Sequence, residues 1–399
     1  MGLLIDPPFG ERTRAPFLLL VALTACGTMG MHVIIPALPA TARALHMSIS
    51  TTQLTITLYL IGLAFGQLCY GPVSDRFGRR PVLMVGLTLF TVASIVTACA
   101  PNATVLIGAR VLQSIGGCAG LVLGRAAVRD AATPDRAAGQ LALLTLVMSI
   151  VPALAPAVGG YLTAYIHWRA SYVLLAAMGG LTLLVSLLIL PETNRQRLGG
   201  ASAQSLLAGY AILARSRAFL GYAVGGACST TSFYAFMSAS PFIFENVLHR
   251  PPQEVGLYYV LLMGGVAAGS FLANRLSRVI GLRGGLRLAN GVTIAGAALF
   301  MLFDVFDVLS GPSMTGAVTL FMVGAGMASP FALAGSVSVN PRTIGAASGL
   351  YGFFQMGYGM LCTVAVELWH PGAVWPVATI MLLSVLAGQV IIAWGTRRA

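Results

Sequence analysis

Twelve long apolar stretches, bounded by charged or turn-forming residues, constrain what this chain of 399 residues can fold into. They fall at about 16–40, 52–73, 82–100, 103–127, 138–165, 168–190, 218–244, 255–276, 285–304, 312–338, 343–367 and 373–395. A helix needs about 20 residues to cross the hydrocarbon core of a membrane, and backbone groups cannot stay unpaired in lipid. The sequence therefore predicts an all-α membrane protein with twelve transmembrane helices.

The composition excludes several other classes of protein. Hydrophobic residues make up 57% of the chain and charged residues only 9%, whereas a soluble domain carries about 25% charged residues. A soluble enzyme, a disordered chain and a secreted disulfide scaffold are all poor matches. The six cysteines lie within apolar stretches and form no CxxC pair, so we expect no disulfide, metal site or cofactor.

The arginines predict the orientation. All 23 basic residues are arginine, and the net charge is +12. With both termini inside, 19 arginines fall on inner segments and only Arg43, Arg169 and Arg250 on outer ones. Basic residues collect in cytoplasmic loops, which explains the charge better than a nucleic-acid partner does. We expect both termini in the cytoplasm and a first span that is retained, not a cleaved signal peptide.

The longest polar connection divides the spans into two sets of six. It runs over residues 192–217 and separates an N-terminal half, 1–191, from a C-terminal half, 218–399. Short matches recur between the halves, since an Arg-x-x-Gly sequence opens both the fifth and the eleventh span, at Arg136 and Arg342. Such pseudo-symmetric halves are typical of secondary transporters.

Three motifs at matching places of this layout resemble those of the major facilitator superfamily. Residues 71–80 read GPVSDRFGRR after span two, residues 110–119 read RVLQSIGGCA in span four, and residues 155–160 read APAVGG in span five. They are similar to the family's GxxxDRxGRR, RxxQGxGxA and GPxxGG motifs, with Ser114 and Ala155 in place of glycines. The resemblance implies the major facilitator fold.

Further local sequences resemble the Bcr/CflA branch of drug:proton antiporters. They include IPALP at 35–39 and LPET at 190–193. This resemblance implies a monomeric transporter of the bacterial inner membrane that exports small amphipathic compounds while protons enter. His32 stands where the branch usually carries an aspartate, which leaves the residue that carries the proton open.

The loop after span two is a candidate conformational latch. Asp75 at a membrane boundary is costly unless it is paired, and its candidate partners are Arg79 and the positive N-terminal end of span eleven, near Arg342. An alternative is that the loop carries only topogenic charge. The predicted latch residues are Gly71, Asp75, Arg76, Gly78, Arg79, Arg80 and Asp130.

Arg110 and His32 are the main candidates for the central cavity. An arginine within a span is a functional-site hypothesis, although Arg110 could instead extend its charge to the outer surface. His32 can titrate near physiological pH, or it can be a structural hydrogen-bonding residue. The other predicted cavity residues are Tyr59, Gln113, Phe233, Tyr234, Phe236, Met237, Glu245 and Phe354, although packing against lipid or other helices could account for part of the aromatic set.

Span five carries a predicted hinge at Pro152, Pro156, Gly159 and Gly160, because proline bends a helix and glycine lets another helix approach. General membrane packing is the alternative. The acids Glu245, Asp304, Asp307 and Glu367 fall at outer helix ends, so we expect no acid deep within a span.

No catalytic constellation and no phosphate-binding GxxxxGK[ST] loop occurs in the sequence. We therefore expect neither an enzyme nor direct use of ATP. An uptake transporter or a passive facilitator on the same fold remains the alternative to export.

Overall fold

The computed structural model describes residues 16–131, 134–193, 203–340 and 344–396. The helices are α1 (Phe17–His32), α2 (Leu38–Ala44), α3 (Ile49–Phe77), α4 (Arg79–Ala98), α5 (Ala103–Ala131), α6 (Pro134–Tyr165), α7 (Ala170–Ile189), α8 (Ala203–Arg215), α9 (Arg217–Thr231), α10 (Phe233–Phe242), α11 (Pro252–Val305), α12 (Gly311–Ser338), α13 (Ile344–Trp369) and α14 (Val374–Thr396). Within these ranges, nine helices are long and apolar enough, by length and composition, to cross a membrane.

These helices follow the twelve predicted stretches. The first stretch is α1 and α2 joined by a 3₁₀ turn at Ile35–Ala37, and the seventh is α9 and α10, followed by a π-helical turn at Ile243–Val247. The eighth and ninth stretches lie within α11, which breaks at Gly281. Helix α8 lies inside the segment 192–217, which the sequence analysis describes only as a polar connection.

Local chemistry decides where several helices begin and end. The hydroxyls of Ser48 and Ser216 accept backbone N–H bonds at the starts of α3 and α9, which is the usual role of an N-cap serine. Gly78 adopts a φ of 99° between α3 and α4, and Gly281 a φ of 64° within α11. Glycine tolerates this region because it has no Cβ, so the chain can turn sharply at both positions.

Prolines inside the helices leave carbonyl groups without their usual partner, because proline has no N–H to donate to the residue four positions earlier. At three of these prolines, a hydroxyl group of a neighbouring helix bonds the carbonyl. The three cases pair Tyr210 Oη with the Leu68 oxygen before Pro72 at 3.2 Å, Tyr259 Oη with the Met237 oxygen before Pro241 at 3.5 Å, and Ser270 Oγ with the Gly326 oxygen before Pro330 at 3.2 Å.

Glycines set the closest helix contacts. Gly27 of α1 and Gly117 of α5 approach so closely that a methyl group built on Gly117 would lie 2.9 Å from the Gly27 Cα. The contact between α9 and α14 is similar, since a methyl group on Gly221 would lie 2.8 Å from the Gly395 Cα. Small residues allow such approaches between membrane helices, and here they let the helices within each half pack closely.

The two halves meet along two helix pairs, α6 with α11 and α3 with α13. We call the end of the bundle that holds residues 71–80 the basic end, and the other end the opposite end. Helix α3 runs from the opposite end at Ile49 to the basic end at Phe77, and α13 runs in the reverse direction. The candidate site lies along these two contacts.

Candidate functional site

Arg110 lies in the interior of the N-terminal half with none of its surface exposed. Its Nη1 donates to the Gly30 carbonyl oxygen at 2.7 Å and to Gln113 Oε1 at 2.6 Å. Its guanidinium carbon lies 4.2 Å from the centre of the Tyr59 ring. These dipoles and the ring face stabilise the cation, so the structure buries Arg110 instead of extending it to the surface.

Gln113 and Tyr59 are held by further hydrogen bonds. Gln113 Nε2 donates to Ser94 Oγ at 2.7 Å, and the Tyr59 hydroxyl donates to the Gly27 carbonyl oxygen at 3.0 Å. Arg110 Nε and Nη2 have no hydrogen-bond partner among the described residues. The cluster thus joins α1, α3, α4 and α5 around one buried positive charge and keeps two of its nitrogens as unused donors.

His32 is the last residue of α1, two positions after Gly30, and 8% of its surface is exposed. Its Nδ1 lies 2.9 Å from the Thr28 carbonyl oxygen. Because that oxygen can only accept, Nδ1 carries a hydrogen, and Nε2 is left as the atom that can bind a proton. The geometry is compatible with both predicted roles, and a coupling role for His32 stays a prediction.

The predicted aromatic cavity residues lie mainly within the C-terminal half. Phe236 and Met237 have no exposed surface, and the Phe236 ring packs 5.9 Å from the Phe300 ring. Phe233 is nearly as buried and packs 6.3 Å from the Tyr259 ring. These contacts stabilise the half itself, so direct contact of these side chains with a substrate remains a prediction.

Two other predicted cavity residues lie at α13: Tyr234 of α10 packs against it, and Phe354 is part of it. A methyl group built on Gly359 of α13 would contact the Tyr234 ring, and Phe354 packs between Phe219 and Phe353, with ring centres 6.4 Å and 5.9 Å away. Both side chains are partly exposed. They therefore keep surface that a substrate could reach.

In the loop motif, Arg79 Nη1 lies 2.7 Å from Asp75 Oδ1 and also bonds Ser74 Oγ. Asp75 keeps 57% of its side chain exposed, and Arg76 lies over the Phe77 ring. The structure thus places Asp75 against the first of its two candidate partners. The side chains of Asp130 and Arg342 lie outside the described residues.

Glu192 completes this end of the motif. Its carboxylate accepts hydrogen bonds from the backbone N–H groups of Arg79 at 3.0 Å and Arg80 at 3.2 Å, at the start of α4. Arg80 Nη2 also donates to the Leu187 carbonyl oxygen at 2.9 Å. A carboxylate at a helix N-terminus is favourable because the first N–H groups lack partners there. A methyl group on Gly78 would lie 2.6 Å from Glu192 Oε2.

The predicted hinge residues bring the two halves together. A methyl group built on Gly160 would lie 2.5 Å from the Pro252 carbonyl oxygen, and one on Gly256 of α11 would lie 2.6 Å from the Pro156 carbonyl oxygen. Gly159 contacts the Val33 carbonyl group. Any side chain at Gly160 or Gly256 would therefore push α6 and α11 apart.

An ion pair also joins the halves at the opposite end. Arg43 of α2 contacts the Glu245 carboxylate in the π-helical turn, 202 residues away. Arg43 is largely exposed, and Glu245 is partly buried. Glu245 thus bonds the other half of the protein at the opposite end, and its position at the cavity stays a prediction.

The side chain of Glu367 lies between the two halves and not in the solvent beyond α13. It is half-buried, and its carboxylate accepts a hydrogen bond from the Thr57 hydroxyl on α3. Thr57 lies eight residues into α3, about 12 Å from its start at 1.5 Å per residue. Glu367 lies two residues before the end of α13, so the predicted position at a helix end is correct. The expectation that no acid lies deep within a span does not hold for its carboxylate, because the side chain reaches inward between the halves.

The described contacts between α3 and α13 extend some way toward the basic end. A methyl group on Gly349 would lie 3.1 Å from the Gln67 carbonyl oxygen. Methyl groups built on Gly71 and Gly345, about one turn further, have no described neighbour within 4 Å. The described contacts between the halves thus lie at the opposite end and continue as far as Gln67 and Gly349.

Tyr210 of α8 anchors the polar connection at this boundary. Its hydroxyl donates to the Leu68 oxygen that Pro72 leaves unpaired. Burial raises the pKa of the Tyr210 hydroxyl, so the group remains a protonated donor at neutral pH. Helix α8 is thus fixed to the bend in α3, one turn before the start of the loop motif.

Comparison with known proteins identifies the family. The Major Facilitator Superfamily model matches residues 19–363. The chain belongs to this superfamily. Its members are transporters of small molecules, and many of them couple transport to protons. The structure is similar to that of a D-xylose-proton symporter, with a TM-score of 0.72 at 16% identity, over 96% of this chain and 99% of that one. That likeness supports the fold alone.

Two curated relatives indicate the branch of the superfamily. Multidrug resistance protein D of Escherichia coli (strain K12) is 31% identical over 385 residues, which cover 96% of this chain and 95% of the relative. A chloramphenicol resistance protein of Pseudomonas aeruginosa is 31% identical over 379 residues, which cover 92% and 87%. These matches agree with the resemblance to the Bcr/CflA branch of drug:proton antiporters, and the chain is a multi-pass membrane transporter of this superfamily.

Several residues of this transporter's site were missed because their partners lie in other helices. Glu192 is 113 residues from Arg79, and Thr57 is 310 residues from Glu367. One signal was available in the sequence, since Pro72 within a helix predicts an unpaired carbonyl at Leu68. The identity of the donor, Tyr210, could come only from the structure.

Proposed function

We propose that this protein exports small amphipathic compounds, including antibiotics, from the cytoplasm in exchange for protons. The observation that carries the proposal is similarity over more than nine tenths of the chain to relatives named for multidrug and chloramphenicol resistance. The antiporter-type glycine contact between α6 and α11 supports it, because it packs the halves tightly at one end. The substrate would bind between the halves while they open alternately to the two sides.

In this proposal the protein lies in the bacterial inner membrane as a monomer, with the basic end and both termini in the cytoplasm. The distribution of arginines supports this orientation. The described arrangement, closed at the opposite end, then corresponds to the inward-open state. A tag at Gly311 or Ala373 should be accessible from outside the cell, and cytoplasmic labelling of either position would contradict the orientation.

The candidate residues divide into three roles. Gly71, Asp75, Arg76, Gly78, Arg79, Arg80 and Asp130 form the latch at the basic end. Pro152, Pro156, Gly159 and Gly160 form the hinge at the opposite end. The cluster of Arg110, Gln113, Tyr59 and His32 adjusts the electrostatics of the cavity, which Tyr234 and Phe354 border. Protons and substrate are the only ligands in this mechanism.

Two measurements test this function. A resistance profile in a pump-deficient host should widen on expression, and a protonophore should abolish the added resistance. In everted vesicles, adding a substrate should release protons that an energised membrane has accumulated. Substrate that equilibrates without proton movement would instead identify a passive facilitator, and accumulation in intact cells would identify an uptake transporter.

A further inference from the structure

Glu367 links the two halves through hydrogen bonds that involve only hydroxyl groups. Its carboxylate accepts from the Thr57 hydroxyl, and Thr57 Oγ1 lies 2.8 Å from Thr363 Oγ1. Both threonines are buried, with 2% and 0% of their surface exposed. Thr363 Oγ1 donates in turn to the Met360 carbonyl oxygen at 2.8 Å. The acid therefore ends a short chain of hydroxyls inside the contact between α3 and α13.

This chain can accommodate either protonation state of Glu367. A hydroxyl carries one hydrogen and can also accept, so Thr57 donates to Glu367 when the carboxylate is charged. When Glu367 is protonated, it can donate to Thr57 Oγ1. The Thr57 hydrogen can then be donated to Thr363 Oγ1 at 2.8 Å. No hydrogen bond across the contact is lost on protonation.

The surroundings favour the neutral form while the halves are in contact. Among the described residues, no arginine or histidine nitrogen lies within 4 Å of the Glu367 carboxylate. A buried carboxylate without a cation is costly. The arginines Arg43 and Arg250 at this end are each paired with another acid, Glu245 and Glu254. Opening the halves would admit water and stabilise the charged form.

Other ionisable groups occur on most of the elements packed against α13. Helices α12 and α14 contain none. Cys69, Tyr70, Asp75 and Arg76 lie on the last two turns of α3, toward the basic end. The others are Tyr59 on α3, Tyr210 and Arg215 on α8, Arg217, Tyr222 and Cys228 on α9, Tyr234 on α10, and Tyr351, Tyr358, Cys362 and, just beyond its end, His370 on α13 itself. Arg215 and Arg217 lie at the basic end, and the His370 ring packs 5.8 Å from the Trp375 ring.

We propose that Glu367 is a proton-binding site, and that its protonation favours the state in which the opposite end is closed. The proton comes from water at the opposite end when the halves are apart there. For the exchange to be coupled, it leaves toward the basic end while the opposite end is closed. This inference rests on the proposed proton-coupled transport and assigns a carboxylate to it, in a chain where His32 stands at the usual acidic position.

Distance measurements on the whole transporter test this proposal without any substrate. Spin labels on cysteines at Asn102 and Phe306 would report the opposite end, since these exposed residues lie at that end in different halves. The six native cysteines would be replaced, and the protein would be held in lipid nanodiscs. The distance between the two labels would be measured between about pH 9 and about pH 5, a range that covers the titration of a carboxyl in an apolar site. As the pH falls, the fraction of molecules with the short distance, which marks a closed opposite end, should rise.

The variant Glu367→Gln should show the short distance at every pH, because a neutral amide replaces the protonated acid. The matched control is Asp307→Asn, which removes an exposed carboxyl at the same end and should keep the wild-type response. A pH response of wild-type size in Glu367→Gln would overturn the proposal, and so would a wild-type protein that does not respond to pH.

A second variant keeps the test decisive if Glu367→Gln fails to elute as a folded monomer. Thr57→Val removes the hydroxyl that stabilises the charged carboxylate, so closure should need about tenfold less proton activity, whereas Thr57→Ser should behave as wild type. An unchanged midpoint in Thr57→Val would contradict the hydroxyl chain. Because no substrate is present, a pH response can be found even if the resistance and vesicle assays reject drug export, and it can be absent even if they support it.

Discussion

The carboxylate of Glu192 caps the first turn of α4 by accepting a hydrogen bond from the Arg79 backbone N–H at 3.0 Å. The contact joins the end of the sixth predicted span to the start of the third. It fixes the loop motif to the N-terminal half, while Asp75 on the other side of Gly78 stays largely exposed. The motif is therefore fixed to its own half through Glu192, while the Asp75 side chain stays largely exposed and paired with Arg79.

Glu192→Ala should lower the free energy of unfolding by about 1 to 2 kcal/mol, because capping side chains contribute that much. The loss should appear as a lower midpoint in thermal unfolding of the detergent-solubilised protein. Glu254→Ala is the control, since Glu254 is partly exposed and pairs only with Arg250 one turn away. Equal losses in both variants would contradict a special role for Glu192.

Asp75→Asn should nearly abolish transport while the protein remains folded, because the latch at the basic end needs a charged carboxylate. The variant keeps the size of the side chain and loses the ion pair with Arg79. Drug resistance and elution as a folded monomer would be measured together. Full resistance in a folded Asp75→Asn protein would contradict the latch and would favour the alternative that the loop charges only set the orientation in the membrane.

Tyr210→Phe should destabilise the inward-open state by about 1 kcal/mol, because the Leu68 carbonyl loses its donor. The matched variant is Pro72→Ala, which restores a backbone N–H to that carbonyl. In the Pro72→Ala background, Tyr210→Phe should therefore have a smaller effect. A double-mutant cycle of thermal stability measures this coupling, and additive effects of the two changes would contradict it.

Gly256→Val should hold the opposite end open, because the new side chain would collide with the Pro156 carbonyl group of α6. Transport should fall strongly, and a cysteine at Ala37, which is buried in the turn packed against α6 and α11, should become reactive toward a membrane-impermeant maleimide. Gly264→Val lies on the same helix, where an added methyl group has no described neighbour within 4 Å. The Gly264→Val control should transport normally. Equal defects in both variants would mean that a valine anywhere on α11 impairs transport, and they would contradict a role for the contact at Gly256.

Arg110→Leu should reduce turnover at least tenfold, because it removes the buried cation and leaves Gln113 Oε1 without its donor. Arg110→Lys should recover little, since a lysine cannot reproduce the guanidinium geometry beside Gly30 and Tyr59. Export rates in proteoliposomes would measure the change. Arg250→Leu, at an exposed position, should leave the rate unaltered, and a normal rate in Arg110→Leu would exclude a functional role.

Much of the architecture was readable from short stretches of sequence. The apolar runs and the glycines near Arg79 and at the end of span five all act through local geometry or through transfer of one helix into lipid. Arg110 could be recognised from its local sequence, because a charged side chain within an apolar run is costly in a membrane and therefore indicates a functional site. These features depend on neighbours within one or two helical turns.

The partners of these groups could not be read in the same way. Glu367 lies two residues before the end of α13, and its position in the sequence is equally compatible with a solvated helix end. Its contact with Thr57 depends on the rotation of α3 and α13 about their axes, which packing decides. The same holds for Phe236, which packs inside its own half although its composition suits a cavity.

The sequence by itself determined the spans, the two halves, the family motifs and the buried arginine, because the cost of placing a polar or charged group in lipid is set residue by residue. Only the tertiary structure decided that Glu192 caps α4, that Tyr210 serves the bend at Pro72, and that Glu367 meets Thr57 between the halves. Those contacts join residues 112 to 310 positions apart, and they exist only once the helices have packed.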